Sequence, residues 1–232
     1  MKILISGISG KMGQLLKNDI DQSQTFEYAG GFDLIDTYDN QVDYDVLIDF
    51  SHVSQIKKVI DLSVENKKPV VLATTGLKEA DFEYMNLKSR EVAIFQSYNY
   101  SYGIQVLLKA LNSVLPMIDD YDIEIAEKHH HFKEDAPSGT ALLIFDEIKA
   151  HRKDAIANLG YQEKRKANEI GMHALRAGTI VGEHEILLAS KDEMITIKHE
   201  ALSKQIFTQG ALRAAKFIKD KKSGIFHMKD LV

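Results

Sequence analysis

Lys2-Ile3-Leu4-Ile5-Ser6-Gly7-Ile8-Ser9-Gly10-Lys11-Met12-Gly13 is the stretch on which the fold turns. Ile3 to Ser6 reads as a short buried strand and Lys11 to Asp19 as an amphipathic helix, with a glycine loop between them. Glycines there let the backbone turn tightly and bring main-chain N–H groups against a pyrophosphate at the helix start. The spacing is GxxGxxG rather than the commoner GxGxxG, and such a turn also serves plain packing of a helix on a strand. The loop by itself leaves both uses open.

Outward from this loop the chain keeps alternating. Apolar runs at Tyr28 to Gly31, Val46 to Phe50, Pro69 to Ala73 and Val92 to Phe95 have the length of strands, and Val53 to Glu65 has helical spacing. That alternation predicts a parallel sheet with crossover helices. Ile104, Leu107, Leu108, Leu111 and Leu115 then share one face of a helix that ends before Pro116. Beyond it, alternating runs at Tyr121 to Ala126, Ala174 to Val181, Glu185 to Ala189 and Met194 to Lys198 predict an antiparallel or mixed sheet, with a helix over Ala141 to Ala150. Gln209 to Lys219 is helical again, carrying Ala211, Ala214, Ala215 and Ile218 at three-and-four spacing, and is expected to pack back onto the first domain. The expected fold class is α/β: a Rossmann-like, doubly wound parallel sheet from residues 1–100 and 207–232, and a smaller α+β domain with a mixed or antiparallel sheet over 101–206.

Composition narrows the function. The chain has 232 residues, 44% hydrophobic, enough to bury a substantial core in one large domain or two small ones. Its net charge is −5 and no Lys/Arg block offers the footprint a phosphate backbone needs, so nucleic acid is not an expected partner. It contains no cysteine, which removes disulfides, thiolate metal sites and thiol nucleophiles and fits a reducing compartment. The first apolar run is too short for a signal core or a membrane span. A cytoplasmic protein with no membrane partner is expected.

Asp33 strengthens the nucleotide reading of the glycine loop. It lies about twenty residues past the last glycine, at the end of the second strand, where a carboxylate accepts hydrogen bonds from the adenosine ribose; the alternative is a solvated turn aspartate. A carboxylate there repels a 2′-phosphate and no arginine stands beside it, which leans toward NADH. Lys11 and His52 can reach a 2′-phosphate from neighbouring loops, so NADPH stays open. Asp49-Phe50-Ser51 and Ala73-Thr74-Thr75-Gly76 end two further strands, where open parallel sheets bind ligands, and are candidate nicotinamide and ribose contacts or ordinary turn residues.

Glu127-Lys128-His129-His130-His131-Phe132-Lys133-Glu134-Asp135-Ala136-Pro137-Ser138-Gly139-Thr140 carries the chemistry. It runs from a strand end through a polar loop into a helix. Ser138, Gly139 and Thr140 fall at the helix start, where backbone N–H groups and short hydroxyls seat a carboxylate or simply cap the helix. His129, His130 and Lys133 add proton donors and positive charge, so one loop can bind an anionic substrate and protonate it. A histidine metal site is the alternative, but neighbours on extended chain point to opposite faces and no HExxH or carboxylate–histidine pattern completes a coordination sphere. No metal is expected.

His129-His130, Lys133 and Asp135-Ala136-Pro137-Ser138-Gly139-Thr140 resemble the signature of the dihydrodipicolinate reductase family. The resemblance runs in order through Gly7 to Gly13, Asp49-Phe50-Ser51, Thr74-Thr75-Gly76, Asn99-Tyr100-Ser101, the signature, Gly182-Glu183-His184 and Gly210-Ala211. It implies a dinucleotide domain built from both ends of the chain, and a central domain that binds a small dicarboxylate substrate and assembles a homotetramer. It makes His129 the general acid and Lys133 a substrate-polarising cation, with His130, Ser138, Gly139 and Thr140 on the carboxylates. Gly7, Gly10, Met12, Gly13, Asp33, Phe50, Gly76 and Asn99 would line NADH or NADPH, with Thr74 and Thr75 beside the nicotinamide. The chain departs from the family pattern at Ala73, His52 and Lys204 and in the short segment between Asp33 and Asp45, all bearing on the cofactor end. The rival readings are a nicotinamide enzyme acting on an amino or imino acid, and a dinucleotide-binding regulator without catalysis.

Overall fold

A computed structural model of the chain describes residues 1–35, 38 and 42–232; residues 36, 37 and 39–41, within the short segment after Asp33, lie outside the described residues. The chain divides into two compact units, Met1–Tyr102 with Gln205–Val232, and Gly103–Lys204.

In the first unit, strands β1 (Lys2–Ser6), β2 (Glu27–Phe32), β3 (Val46–Asp49), β4 (Val70–Leu72) and β5 (Ala93–Gln96) alternate with helices α1 (Lys11–Asp21), α2 (Ile56–Asn66) and α3 (Glu79–Lys88). Strands β1, β3, β4 and β5 have near-continuous apolar runs because helices cover both faces of a parallel sheet. Helix α2 stops at Lys67, whose left-handed backbone (φ 52°) turns its N–H back onto the carbonyls of Ser63 and Val64. Helix α3 has no counterpart in the sequence reading. Its only buried residue is Met85, so no apolar face announces it; Glu79 and Asp81 in its first turn and Lys88 in its last favour it through the helix dipole.

The second unit holds α4 (Tyr102–Val114, from its second residue), β6 (Asp122–His129), α5 (Gly139–His151), β7 (Ile156–Asn158), β8 (Glu169–Arg176), β9 (Gly182–Ala189) and β10 (Met194–Ala201). Its sheet runs β10-β9-β6-β8-β7, antiparallel on the β9 and β10 side and parallel on the β8 and β7 side. Ile123 and Ile125 of β6, Ile170 and Met172 of β8, and Ile186 and Leu188 of β9 pack with Leu107, Leu111, Ile144 and Ile148 of the two helices in one buried cluster. Strand β8 corrects the sequence reading, which placed it over Ala174 to Val181. Its buried anchors are Ile170 and Met172, and the chain turns at Gly178 (φ 48°), leaving Ile180 36% exposed outside the strand.

Helix α6 (Gln205–Ile218) and β11 (Gly224–Phe226) return to the first unit, where β11 joins the edge to complete an all-parallel sheet ordered β11-β5-β4-β3-β1-β2. Buried Asp19 of α1 accepts hydrogen bonds from Thr208 and from Gln205 of α6, and Gly210 lets α6 approach so closely that a Cβ there would lie 1.7 Å from the Tyr100 carbonyl oxygen. Leu16 and Ile218 are fully buried in the cluster between α1, α6 and the sheet, and each such side chain contributes about 1.5–3 kcal/mol relative to exposure. Among the described residues no helix is long and apolar enough to cross a membrane.

Candidate active site

In the first unit the chain passes from β1 to β2 on one side of the sheet and then to β3 on the other, so β1 and β3 are neighbours at a topological switch point. Their carboxyl ends meet with Ser6 opposite Asp49. Gly7 has φ 79°, and a Cβ there would sit 2.7 Å from the Phe50 carbonyl; a Cβ at Gly13 would sit 2.1 Å from the Gly7 oxygen. Only glycine permits this closely folded loop. Gly10 caps α1 without a side-chain acceptor, so the first-turn N–H groups of Lys11, Met12 and Gly13 face outward from the helix.

Gly7, Gly10, Asp33, Phe50 and Ser51 line a cleft of about 300 Å³ together with Ser9 and His52. Asp33 stands at its exposed rim, where its Oδ1 accepts from the Ser9 N–H and hydroxyl, both at 2.9 Å. His52 Nδ1 accepts from the Ser54 N–H at 3.2 Å. The remaining expected cofactor residues, Lys11, Met12, Gly13, Thr74, Thr75, Gly76 and Asn99, are not in this lining. Thr74 is buried, its hydroxyl 2.6 Å from Asp49 Oδ2 and 2.9 Å from the Ser51 carbonyl, so it ties two strand ends together. Burial pushes the Asp49 carboxyl up, against hydrogen bonds from Ser51, Thr74 and Ser6. Thr75 and Gly76 are exposed, and Asn99 Oδ1 accepts from the Ser101 N–H at 2.7 Å.

The second unit gathers side chains instead. The alternation that buries Ile123 and Ile125 carries Glu127 and His129 onto the same face of β6, so the apolar row turns polar at the end of the strand. Register does the rest: Glu127 lies opposite His184 of β9, and His129 opposite Arg176 of β8. Glu127 Oε1 accepts from Arg176 Nη2 at 2.8 Å and from the Ser138 N–H at 3.0 Å. Its Oε2 lies 3.5 Å from His129 Nδ1 and 3.6 Å from His184 Nε2. Burial raises the Glu127 carboxyl, but His184, Ser138 and Arg176 outweigh it and hold the group well below the usual carboxylate range. His129 is pushed down to about 4, first by burial and then by His184, Lys133 and Arg176, with Glu127 opposing.

The signature loop leaves this cluster from His129. His130 is half-buried with its Nδ1 unpartnered among the described residues, while His131 is exposed with its Nδ1 2.9 Å from the Gly178 carbonyl oxygen. Lys133 bonds both carboxylate oxygens of Asp135 at 2.7 and 2.9 Å. Ser138 is buried with its polar groups engaged: its N–H by Glu127, its hydroxyl by the Ala141 N–H at 3.2 Å and by His184 Nε2 at 3.1 Å. It caps α5, whose first turn begins with exposed Gly139 and half-buried Thr140.

Three members of this cluster have no role in the sequence reading. Glu127 stands in the quoted stretch without a role, and Arg176 and His184 reach it only through strand pairing. Period-two spacing of Glu127 and His129 was the available signal. The expectation that no carboxylate–histidine pattern exists is also corrected: Glu127, His129 and His184 each bring a ligand-type atom within 4.8 Å of the others. Arg176, 2.8 Å from the same carboxylate, supplies the positive charge a cation would bring, which makes the cluster an ion-paired network.

Comparison with known proteins identifies a family. Residues 1–100 match the family model for the dihydrodipicolinate reductase N-terminus and residues 103–232 the model for its C-terminus. The chain is 40% identical over 246 residues to 4-hydroxy-tetrahydrodipicolinate reductase of Caldanaerobacter subterraneus, covering 100% of this chain and 98% of that one. It is 41% identical over 214 residues to the protein of that name from Exiguobacterium sibiricum, covering 91% and 86%. The dipicolinate-bound dihydrodipicolinate reductase of Paenisporosarcina sp. TG-14 superimposes with a TM-score of 0.81 over 100% and 99% of the two chains at 18% identity, a likeness of fold. With both halves matched and relatives aligned from end to end, the chain belongs to the dihydrodipicolinate reductase family.

Proposed function

We propose that this chain is a pyridine-nucleotide-dependent reductase that converts 4-hydroxy-2,3,4,5-tetrahydrodipicolinate to 2,3,4,5-tetrahydrodipicolinate, on the route to diaminopimelate and lysine. The observation that carries this reading is the buried His129 beside a cation-lined loop and a helix start, an arrangement suited to protonating a bound dicarboxylate. The first unit is read as the dinucleotide-binding unit and the second as the one that binds substrate and assembles a homotetramer, in the cytoplasm.

The cradle at Gly7 and Gly13, which a Cβ would fill, fits a dinucleotide pyrophosphate against α1. NADH or NADPH supplies a hydride there. Asp33 at the rim of the cleft favours NADH, since its charge opposes a 2′-phosphate. Gly10, Lys11, Met12, Phe50, Ser51, Thr74, Thr75, Gly76 and Asn99 complete the cofactor side.

On the substrate side His130, Gly139 and Thr140 hold the carboxylates, Ser138 keeps the start of α5 in place, and Lys133 exchanges Asp135 for the substrate. After the substrate hydroxyl leaves as water, the ring is a conjugated imine. It takes hydride at one carbon and a proton from His129 at the next. The free protein holds His129 neutral; the two negative charges of the substrate raise its proton affinity, so the acid is charged as substrate arrives. Mixing the purified protein with freshly made 4-hydroxy-tetrahydrodipicolinate should oxidise NADH, and NADPH less efficiently. Failure to oxidise either would end the proposal.

A further inference from the structure

The geometry points to Glu127 as the positioning residue of the proton donor: it fixes His129 in the Nδ1–H tautomer and so reserves Nε2 for the substrate. This rests on the reading of His129 as the general acid. Glu127 is 1% exposed, and one of its oxygens is fully committed to Arg176 and the Ser138 N–H. The other, Oε2, and His129 Nδ1 are both buried and lack a hydrogen-bond partner among the described residues, and they face each other at 3.5 Å. Two orphaned atoms, one an acceptor and one able to donate, satisfy each other only if the proton sits on Nδ1.

The far side of the ring agrees. A Cβ at Gly182 would lie 3.2 Å from His129 Nε2 and 3.4 Å from Cδ2, so glycine at the start of β9 leaves room beside the nitrogen that Glu127 does not hold. The groups facing the imidazole are Glu127 from its own strand, His184 from β9, Arg176 from β8 and Lys133 from the loop, and Glu127 is the only anion among them. As the proton transfers, the Nε2–H bond breaks while the C–H bond forms on the substrate ring. The imidazolium returns to the neutral Nδ1–H form, and solvent replaces the proton.

Glu127→Gln tests this sharply. Its single carbonyl oxygen would be claimed by Arg176 and the Ser138 N–H, turning the amide NH2 toward His129 and forcing Nδ1 to accept. The ring would then carry its proton on Nε2 in the neutral state, the wrong tautomer, as in the carboxylate-to-amide change of a serine-protease triad. The first readout is long-range ¹H–¹⁵N correlation on ligand-free, ¹⁵N-histidine-labelled protein, with His129→Gln for assignment. Wild type is expected to show His129 as Nδ1–H, Glu127→Gln as Nε2–H, and Glu127→Asp as wild type. In kinetics Glu127→Gln should lose on the order of 10²–10³ in kcat with substrate KM within about threefold, and its alkaline pH limb should move to lower pH. Glu127→Asp should recover part of kcat. An Nε2–H tautomer in wild type, or an unchanged tautomer and pH limb in Glu127→Gln, overturns the inference. The tautomer is read without substrate, so a wild-type protein with the expected tautomer and no NAD(P)H oxidation would refute the assigned reaction and leave the positioning role standing.

Discussion

The two binding regions are made of different material. The cleft of the first unit depends on backbone: Gly7 and Gly10 in its lining, and Gly13 packed against the Gly7 oxygen outside it, remove side chains so that main-chain N–H groups can face a ligand. The polar cluster of the second unit is side chain, with Glu127, His129, Arg176 and His184 brought together from three strands. A backbone site is intolerant of added volume and indifferent to most exchanges of charge. A side-chain site tolerates small changes of shape, but each member holds the protonation state of the next.

The contrast can be broken hardest at His129. His129→Ala should lower kcat by about 10²–10⁴ while the dissociation constant of pyridine-2,6-dicarboxylate changes only a few fold, seen by steady-state kinetics beside calorimetry. Gly13→Ala attacks the other material. Its Cβ would meet the Gly7 oxygen at 2.1 Å, so the loop must shift. Cofactor affinity should fall by roughly tenfold or more and stability by about 1–3 kcal/mol, with dicarboxylate binding untouched. Weakening of both ligands alike would show that the two regions are not independent.

Asp33→Ser sharpens the comparison, because Asp33 is the one carboxylate among the described residues that line the cleft. It should shift the NADH to NADPH ratio of kcat/KM toward NADPH by about tenfold, on the order of 1.4 kcal/mol. A further effect, read by pH, is on stability. His129 has an ordinary value of 6.5 in the unfolded chain and about 4 when folded, so between those values the unfolded chain binds more protons. Stability is complete above that window and falls as the pH drops through it. Glu127, held low, adds a loss as pH falls below its ordinary value of 4.5 toward its folded one. Thermal unfolding from pH 7 to 4 should show the slope, and His129→Gln should flatten its upper part.

How much of this is legible in the sequence follows the same division. The glycine loop and the loop from His129 to Thr140 are contiguous, so their chemistry can be read in order along the chain. Arg176 pairs with Glu127 across 49 residues, through a register that periodicity alone does not set. Strand β8 is displaced in the sequence reading because Leu175, Ile180 and Val181 mimic a continuing apolar alternation, whereas the turn at Gly178 ends it. Strands β7 and β11, three residues each, are too short to carry a pattern, and α3 has almost no buried face to display. Ser138 was read correctly as a helix start, yet its burial and its bonds to Glu127 and His184 belong to tertiary structure.

The row Ile123, Ile125, Glu127, His129 gives its first half to the apolar core and its second to the buried polar cluster. Sliding β6 by a single residue would send all four to the opposite surface at once, exchanging them for Asp122, Glu124, Ala126 and Lys128. A misregistered molecule therefore loses its interior and the Glu127–His129 pair together. Insertions within β6 should accordingly be refused, whatever residue is inserted.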